Sequence, residues 1–418
     1  NPTVWQFSGQ GTLAINVGRN LYFCSVAFRS AMDRCDAAAE PLLGIPISSI
    51  LYPRAEVERQ AVELLLDTCF AQPALVALEY CLAQEWISRG HWPSLVLGHS
   101  LGEYAAAVVA GVMSIESCLK LVCARAECVK NADFADGVMV ALRATRAQVE
   151  GAIVAANATE EAAVAAVNKA RSVVLSGSIE GVQRTLEVLG ESAMICKLDV
   201  EYAFHSPLML PVQSAYRSVL EATSLFAPQI PLISTVRGHE AVEGDVCGTQ
   251  YWLDHLVDPV LYETAVQRAL ALGKMAFLEI GADSTLSRLT RSIDPGVAVA
   301  SSAEYLCRQE GAARFEEAYL RCSVAYKPPT HRVLTHRTQS WNSETETLHG
   351  SICSDVDAHR AAFALRIGGD LHLPSGAVID LLLSSSLLQG QAGSGQVAIA
   401  DVLIEGGQMG AAKCSVGC

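Results

Sequence analysis

The stretch from Leu95 to Gly102 constrains the fold most, because it reads Leu-Val-Leu-Gly-His-Ser-Leu-Gly. An apolar run that ends in Gly-x-Ser-x-Gly predicts a buried strand that turns sharply into a helix around an exposed serine. Ser100 then stands at a helix N-terminus, where free N–H groups and the helix dipole favour developing negative charge. The pattern alone leaves two interpretations open: Ser100 is a nucleophile, or it caps the helix that we expect near residues 101–110.

The composition indicates a folded protein with well-filled cores and argues against two kinds of partner. The chain has 418 residues, of which 51% are hydrophobic and 18% charged, and this length allows two or three domains. Its formal net charge of -14, with no Lys/Arg-rich block, argues against a nucleic-acid surface. No apolar run is long enough to cross a bilayer. We therefore expect no nucleic-acid and no membrane partner.

The cysteines and histidines show no spacing typical of disulfide frameworks or metal sites. The 14 cysteines are scattered without a C-x-x-C pair, and the N-terminus shows no secretory signal. We expect reduced thiols in a cytoplasmic protein, with Cys118 and Cys123 as buried apolar residues of a helix. The 10 histidines form no metal-binding pattern, so we predict no metal site. The chain opens on Asn1 and ends on Cys418, and we interpret both ends as cuts in a longer polypeptide.

Strand-like and helical patterns alternate on both sides of the serine motif, which predicts an α/β fold. A glycine-flanked turn, Ser8-Gly9-Gln10-Gly11, follows the first strand and can present the Gln10 N–H to a ligand, although a simple tight turn is the alternative. Pro73 is expected in the first turn of its helix, where proline is tolerated. We predict strands at residues 4–7, 95–98, 231–236 and 276–280, and helices at residues 20–39, 55–66, 73–86, 101–110, 114–130, 206–220 and 263–272.

Residues 137–203 differ from the rest of the chain in their order of predicted strands and helices, which indicates a separate small subdomain. Strands are expected at residues 137–142, 163–168, 172–176 and 193–200, and helices at residues 146–156 and 179–189. The order βαββαβ is the ferredoxin-like pattern. We interpret this segment as an insertion into a large α/β-hydrolase-like domain with a parallel sheet, formed by residues 1–136 and 204–305.

The remainder of the chain differs again in composition. Residues 306–345 read as a linker, because a predicted helix at residues 312–322 gives way to a polar, proline-rich stretch. Residues 346–418 are rich in Gly and Ser, with strands predicted at residues 361–367 and 397–404 and a helix at residues 377–388. We do not expect this third region to fold alone.

Four motifs follow one another in a fixed order along residues 4–305. They are Phe7-Ser8-Gly9-Gln10-Gly11, Gly98-His99-Ser100-Leu101-Gly102-Glu103-Tyr104, the lone Arg125 on the next helix, and Ala203-Phe204-His205-Ser206. In this order and spacing they resemble the acyltransferase domains of polyketide and fatty-acid synthases, the malonyl-CoA:acyl-carrier-protein transacylase family. Phe277-Leu278-Glu279-Ile280-Gly281 adds weaker support.

The resemblance implies a serine–histidine dyad that needs no acid. Ser100 would be the nucleophile that takes a malonyl group from coenzyme A, and His205 the general base. A backbone carbonyl near Pro259-Val260 would orient the imidazole. The N–H groups of Gln10 and Leu101 would form the oxyanion hole.

The resemblance also implies which side chains bind the substrate. Arg125 would hold the free carboxylate of malonate with two parallel hydrogen bonds and so select dicarboxylic acyl groups. His99 would support the turn and that carboxylate, or it is a packed core histidine. Phe204 and Leu101 resemble malonyl-specific members, whereas Tyr202 departs from them. Malonyl is therefore the expected acyl group.

The family implies no cofactor bound by the domain itself. Malonyl-CoA would be the substrate, and the acceptor would be the phosphopantetheine thiol carried by an acyl carrier protein. The ketosynthase and other domains of the same megasynthase would be further partners. Two alternatives stay open: a serine hydrolase or editing thioesterase, which leaves Arg125 without a role and needs an unidentified acid, and a non-catalytic docking segment.

The C-terminal region carries a second, partial resemblance. The stretch from Gly369 to Gly376 is similar to the glycine and proline half of the first motif of a polyketide synthase dehydratase. In that motif a histidine stands four residues before the glycine, and here that position is Leu365. Residues 346–418 would then be a partial α+β hot-dog-like segment without its catalytic histidine, and His359 and His372 are expected to be structural.

Overall fold

The computed structural model describes residues 2–132, 136–190, 193–200, 202–242, 244–273 and 275–306, together with three strands at 336–342, 347–352 and 397–403. They belong to two compact units, one of residues 1–87 and 91–326 and one of residues 88–90 and 327–418. The elements of the first unit are β1 (Thr3–Phe7), α1 (Arg19–Cys24), α2 (Val26–Leu43), α3 (Ile47–Leu51), α4 (Glu58–Leu66), α5 (Thr68–Ser88), β2 (Leu95–Gly98), α6 (Gly102–Val109), α7 (Ile115–Asn131), β3 (Gly137–Leu142), α8 (Arg146–Ala155), β4 (Ala162–Lys169), β5 (Ser172–Ser178), α9 (Ile179–Leu189), β6 (Met194–Lys197), α10 (Leu210–Glu221), β7 (Leu232–Ile233), α11 (Thr249–Val257), α12 (Tyr262–Ala271), β8 (Ala276–Ile280), α13 (Thr285–Ile293), β9 (Val299–Ser301) and α14 (Ser302–Leu306). Short 3-10 helices lie at Ala55–Val57 and Pro207–Met209.

A five-stranded parallel sheet organises the large part of the first unit. The strand order is β7-β2-β1-β8-β9, and each neighbouring pair is parallel. Every residue of β1, β2 and β8 is buried, as expected for strands covered on both faces. The predicted parallel sheet is confirmed. Because Phe7 pairs with Gly98, the turns that follow β1 and β2 leave the same edge of the sheet side by side.

Residues 137–197 form a second, antiparallel sheet of four strands in the order β4-β5-β3-β6. Its elements follow one another as βαββαβ, as the sequence predicts, and the strand order is the ferredoxin-like one. The sheet has an apolar core of its own that includes Val140, Val149 and Leu175. Its edge strand β4 also bridges to the large part, where Ala166 pairs in parallel with Val260.

Some helix boundaries differ from the prediction. The helix expected at residues 20–39 is two helices, because Ser25 breaks the run and its side chain accepts the Phe28 N–H at the start of α2. Helix α5 begins at Thr68, since the Asp67 carboxylate accepts the Cys69 N–H at 2.9 Å. Pro73 therefore lies inside α5 and not in its first turn as predicted.

Two elements near the carboxyl end of the large part also depart from expectation. The strand predicted at residues 231–236 is only the two-residue β7, because the Ser234 side chain accepts the Arg237 N–H and the chain turns there. Helix α13, which was not predicted, starts where the Glu279 carboxylate accepts the N–H groups of Leu286 and Ser287.

The second unit contributes three described strands. They are β10 (His336–Asn342), β11 (Thr347–Ile352) and β12 (Val397–Leu403), which form an antiparallel sheet in that order. The strand expected at residues 397–404 corresponds to β12. The helices predicted at residues 312–322 and 377–388, the strand at residues 361–367 and the dehydratase-like motif with Leu365, His359 and His372 lie outside the described residues.

The first unit shows no disulfide among its described residues. The nine described cysteines are free, and Cys118 and Cys123 are buried on α7 as predicted. Within the described ranges no group of three or more His, Cys, Asp and Glu side chains could hold a metal ion. No single described helix is long and apolar enough to cross a membrane. Residues 55–66 and α5 have the required length and hydropathy only when taken together, and a bend of 100° separates them.

Candidate active site

The serine motif forms a tight turn between β2 and α6. Ser100 has a φ of 51°, in the left-handed region that residues other than glycine rarely adopt. A Cβ on Gly98 would lie 2.2 Å from the Glu103 nitrogen, and one on Gly102 would lie 2.4 Å from the Phe7 oxygen. Only glycine fits at these two positions, so the motif packs the start of α6 directly against the end of β1.

Ser100 and His205 meet at hydrogen-bond distance although they are 105 residues apart in the chain. The Ser100 Oγ lies 2.6 Å from His205 Nε2, and His205 Nδ1 lies 2.8 Å from the Asp258 carbonyl oxygen. A carbonyl only accepts, so we assign the ring hydrogen to Nδ1, which leaves the Nε2 lone pair to accept the serine proton. The orienting carbonyl belongs to the residue just before the Pro259-Val260 stretch that the family resemblance implied.

The segment that carries the Asp258 carbonyl is held from two sides. Arg237 donates to the carboxylates of Asp258, at 3.0 Å, and of Asp254. Two residues on, Val260 donates to the Ala165 carbonyl of β4 at 2.9 Å. The small subdomain therefore contributes to the position of the group that orients His205.

His205 is only 3% exposed, and this burial sets its protonation state. Burial and, to a smaller extent, the positive charge of Arg125 lower the pKa of His205 to about 3, against the opposing effect of the hydrogen bond to Asp258. The imidazole is therefore neutral at pH 7. A neutral imidazole is the state that a general base requires.

Arg125 is a buried cation that has no carboxylate partner among the described residues. It lies on α7, is 2% exposed, and donates from Nη1 to the Gln72 side-chain oxygen. Its guanidinium carbon stands 5.3 Å from the centre of the Phe204 ring. Among the described residues no acidic side chain pairs with Arg125, and its Nε has no acceptor. Because a buried charge is costly unless it is paired, the arrangement suits an anionic ligand.

The N–H groups of Gln10 and Leu101 lie on the two adjacent turns. The first turn touches the second, since a Cβ on Gly9 would lie 3.0 Å from the His99 oxygen, and the His99 N–H donates to the Phe7 carbonyl at 2.9 Å. Neither Gln10 nor Leu101 uses its backbone N–H in a hydrogen bond within the described part of the chain. Both donors are available to a ligand.

His99 and Tyr202 occupy flanking positions. His99 is half-buried, its Nε2 lies 2.8 Å from the Asn168 side-chain oxygen, and burial lowers its pKa. The Tyr202 ring lies 5.8 Å from that of Phe204. Sequence reasoning missed Asn168, which stands beside Lys169 at the polar end of β4 and has no local signal of a role in the site.

Two buried ionisable residues beneath the turn, Glu103 and His255, received no role from the sequence. Glu103, 0% exposed, accepts hydrogen bonds from the Thr235 N–H at 3.1 Å and from the Tyr251 hydroxyl, and burial raises its pKa to about 7. Thr235 Oγ1 also donates to the Gly98 carbonyl at 2.8 Å, which ties α6 to the end of β2. His255, 0% exposed on α11, lies with Nε2 3.1 Å from the Ser100 carbonyl oxygen.

Comparison with known sequences identifies related proteins. A family profile described as the acyl transferase domain matches residues 4–322. The chain is 36% identical over 289 residues to the spectinabilin polyketide synthase system protein NorB of Streptomyces orinoci, covering 68% of this chain and 13% of that protein. It is 34% identical over 284 residues to the PKS-NRPS hybrid synthetase ATPKS of Aspergillus niger, covering 67% of this chain and 15% of that protein. The chain thus spans a small fraction of the length of these relatives.

Solved structures share the same fold. The acyltransferase domain from the second module of the salinomycin polyketide synthase superposes with a TM-score of 0.66 at 33% identity, covering 77% of this chain and 72% of that one. The malonyl-CoA:acyl carrier protein transacylase from Xanthomonas oryzae superposes with a TM-score of 0.67 at 27% identity, covering 76% of this chain and 98% of that one.

Proposed function

The chain belongs to the acyl transferase domain family, and on that premise we propose that it transfers a malonyl group from malonyl-CoA to the phosphopantetheine thiol of an acyl carrier protein. It is an acyltransferase, and its sequence relatives are polyketide synthases. Because those relatives are much longer than this chain, we propose that it acts together with further domains, a ketosynthase among them, in a megasynthase.

In the first half-reaction, His205 Nε2 removes the Ser100 hydroxyl proton while Oγ attacks the thioester carbonyl of malonyl-CoA. The oxygen of the tetrahedral intermediate receives hydrogen bonds from the Gln10 and Leu101 N–H groups. The C–S bond then breaks, and the proton on His205 passes to the departing coenzyme A sulfur. The distance of 2.6 Å between Ser100 Oγ and His205 Nε2 supports this proton transfer.

The second half-reaction repeats these steps in reverse with a new thiol. The phosphopantetheine thiol of the carrier protein gives its proton to His205 and attacks the seryl ester. The intermediate collapses, the C–O bond to Ser100 breaks, and the serine oxygen takes the proton back from His205. The malonyl group leaves on the carrier as a thioester, and the enzyme returns to its starting state.

The buried guanidinium of Arg125, which pairs with no acidic side chain in the described part of the chain, is the observation that carries this substrate class. Arg125 stands over Phe204, the neighbour of His205 in the chain, so a carboxylate bound to it lies next to the dyad. A planar guanidinium holds a carboxylate through two hydrogen bonds, whereas an acetyl group offers it nothing to bind. Arg125 therefore favours an acyl group that has a free carboxylate.

Phe204 and Tyr202 bear on the choice between malonyl and methylmalonyl. The Phe204 ring contacts Arg125 and is 6% exposed, and the Tyr202 ring lies 5.8 Å from it. We propose that these rings leave room for malonyl rather than for its methyl-branched analogue. A single methyl group changes discrimination by only about 1–3 kcal/mol, so the expected preference is moderate.

Acylation rates with malonyl-CoA and acetyl-CoA test the proposal. Arg125→Ala is expected to slow malonyl transfer to the enzyme about 100- to 10,000-fold, because it removes two charged hydrogen bonds that contribute about 1.5–3 kcal/mol each, and to leave acetyl transfer unchanged or faster. Arg217→Ala is the matched control, since Arg217 is exposed and bonds only to Gln250 among the described residues. Equal losses for both acyl groups in Arg125→Ala would refute a role in carboxylate recognition.

A further inference from the structure

His255 is a buried imidazole for which the proposed reaction has no direct use. It is 0% exposed, and its Nε2 lies 3.1 Å from the Ser100 carbonyl oxygen. The ring packs edge-on against Tyr104, at 5.3 Å between ring centres, and lies tilted against Trp252 at 5.6 Å. Its Nδ1 has no hydrogen-bond partner among the described residues. His255 therefore makes one polar contact in this part of the chain, and that contact is with the main chain of Ser100.

The partner of His255 determines which ring nitrogen carries the hydrogen. A carbonyl oxygen can only accept, so the hydrogen is on Nε2 and Nδ1 has the lone pair. Burial and, after it, the neighbouring His205 and Arg125 keep the pKa of His255 well below its usual value, so the ring is neutral and carries one hydrogen. His255 is thus a donor to Ser100 and not a second base.

The Ser100 carbonyl belongs to the same peptide unit as the Leu101 N–H. A trans peptide unit is planar, and its C=O and N–H groups point in opposite directions. The Ser100 oxygen accepts from His255 Nε2 and also from the Glu103 N–H at 2.9 Å. Two donors on the oxygen side fix the direction in which the Leu101 N–H points on the other side, and they polarise it.

We propose that His255 is a positioning residue for the oxyanion hole, acting through the Ser100 carbonyl on the direction and polarity of the Leu101 N–H. The inference rests on the proposed function, in which Leu101 donates to the tetrahedral intermediate. Ser100 itself has a φ of 51°, a conformation that costs free energy and persists only where its surroundings hold it. The hydrogen bond from His255 is one of the contacts that hold it.

Two amide variants separate hydrogen bonding from packing. In His255→Gln the amide nitrogen lies near the position of Nε2 and can still donate to Ser100. In His255→Asn it lies near the position of Nδ1 and cannot reach that oxygen. We expect His255→Asn to lower the saturating acylation rate with malonyl-CoA about 10- to 100-fold, with little change in the half-saturating concentration. This decrease should not exceed the one caused by removing an oxyanion donor itself. His255→Gln is expected to recover most of that loss.

The exposed His239 provides the control, since its ring contacts only the Glu240 carbonyl among the described residues and His239→Gln should leave both kinetic parameters unchanged. Equal acylation by His255→Asn and His255→Gln, at whatever rate, would overturn the proposal, because packing alone would then explain His255. An Asn variant that raises only the half-saturating concentration would also overturn it. If the wild-type chain forms no acyl-enzyme, the proposed function itself fails and this inference fails with it.

Discussion

At the scale of single residues, burial determines the protonation state of His205. Burial and the charge of Arg125 lower the pKa of this imidazole to about 3, whereas the pKa of an exposed histidine is about 6.5. Because His205 is already neutral at pH 5, a higher pH does not increase the fraction of enzyme that carries an active base. We therefore predict that kcat/KM for acylation by malonyl-CoA stays flat between pH 5 and pH 8. A profile that falls by half near pH 6.5 would show that His205 titrates normally.

The pKa of His205 should also change when malonyl-CoA binds. A malonyl carboxylate bound to Arg125 cancels the second cause of the pKa depression, so the pKa of His205 should rise in the complex. We expect the acid limb of kcat to lie at higher pH than that of kcat/KM. The measurement is the acylation rate from about pH 2.5 to pH 8 at saturating and at low malonyl-CoA. Acid limbs at the same pH in both profiles would contradict a carboxylate near Arg125.

Sequence motifs singled out Ser100, His205 and Arg125, but not the groups that hold them in place. Gly-x-Ser-x-Gly predicts a local turn, so Ser100 was recognisable before any fold was known. Asn168 and His255 have no local signal, because each acquires its partner only when segments 69 and 155 residues apart meet. Their roles follow from tertiary contacts and not from propensity.

At the scale of elements, the packing of α6 against β1 requires a glycine at position 102. A Cβ there would lie 2.4 Å from the backbone oxygens of both Phe7 and Ser8, which cannot move without disturbing the sheet. We predict that Gly102→Ala lowers the free energy of unfolding by about 3 kcal/mol or more, as in severe overpacking. Urea unfolding followed by circular dichroism measures this change.

Gly151 is the matched position for that experiment. It lies on α8 with no atom within 4 Å of an added Cβ, so Gly151→Ala should instead stabilise the protein by up to about 1 kcal/mol. Equal stability of the Gly102→Ala and Gly151→Ala variants would contradict the tight approach between α6 and β1.

Elements with a clear apolar period were predictable from the sequence, and boundaries set by single capping side chains were not. The strands β1, β2 and β8 and the βαββαβ order follow from apolar runs and their spacing. The break at Ser25 and the early start of α5 at Asp67 depend on side-chain capping. Helix α13 begins on the Glu279 carboxylate, which the sequence alone places in a strand.

At the scale of the whole molecule, buried acids and buried imidazoles make stability depend on pH in opposite directions. Burial raises the pKa of Glu103 to about 7, so its contribution is complete below about pH 4.3 and is lost as pH rises through about 7. His205, with its pKa lowered, contributes above about pH 6.5 and loses that contribution as pH falls toward about 3. The folded state is thus penalised at both extremes.

The variant Glu103→Gln isolates one side of this balance. It removes the ionisable group, so its stability deficit relative to wild type should be smaller at pH 8 than at pH 5. Glu116→Gln is the control, because pairing with Arg34 lowers the pKa of Glu116 and its carboxylate stays ionised at both pH values. Urea unfolding at the two pH values gives the differences. A deficit for Glu103→Gln that is the same at pH 5 and pH 8 would contradict the raised pKa.

We propose that Ser100 forms a malonyl ester that a carrier thiol then removes. Intact-protein mass spectrometry after brief incubation with malonyl-CoA tests it most directly, followed by addition of a phosphopantetheine-loaded carrier protein. We predict a mass increase of one malonyl group, mapped to the Ser100 peptide, absent in Ser100→Ala, and transferred to the carrier when it is added. The absence of an adduct, an adduct that persists in Ser100→Ala, or release of free malonate in place of transfer would contradict the account.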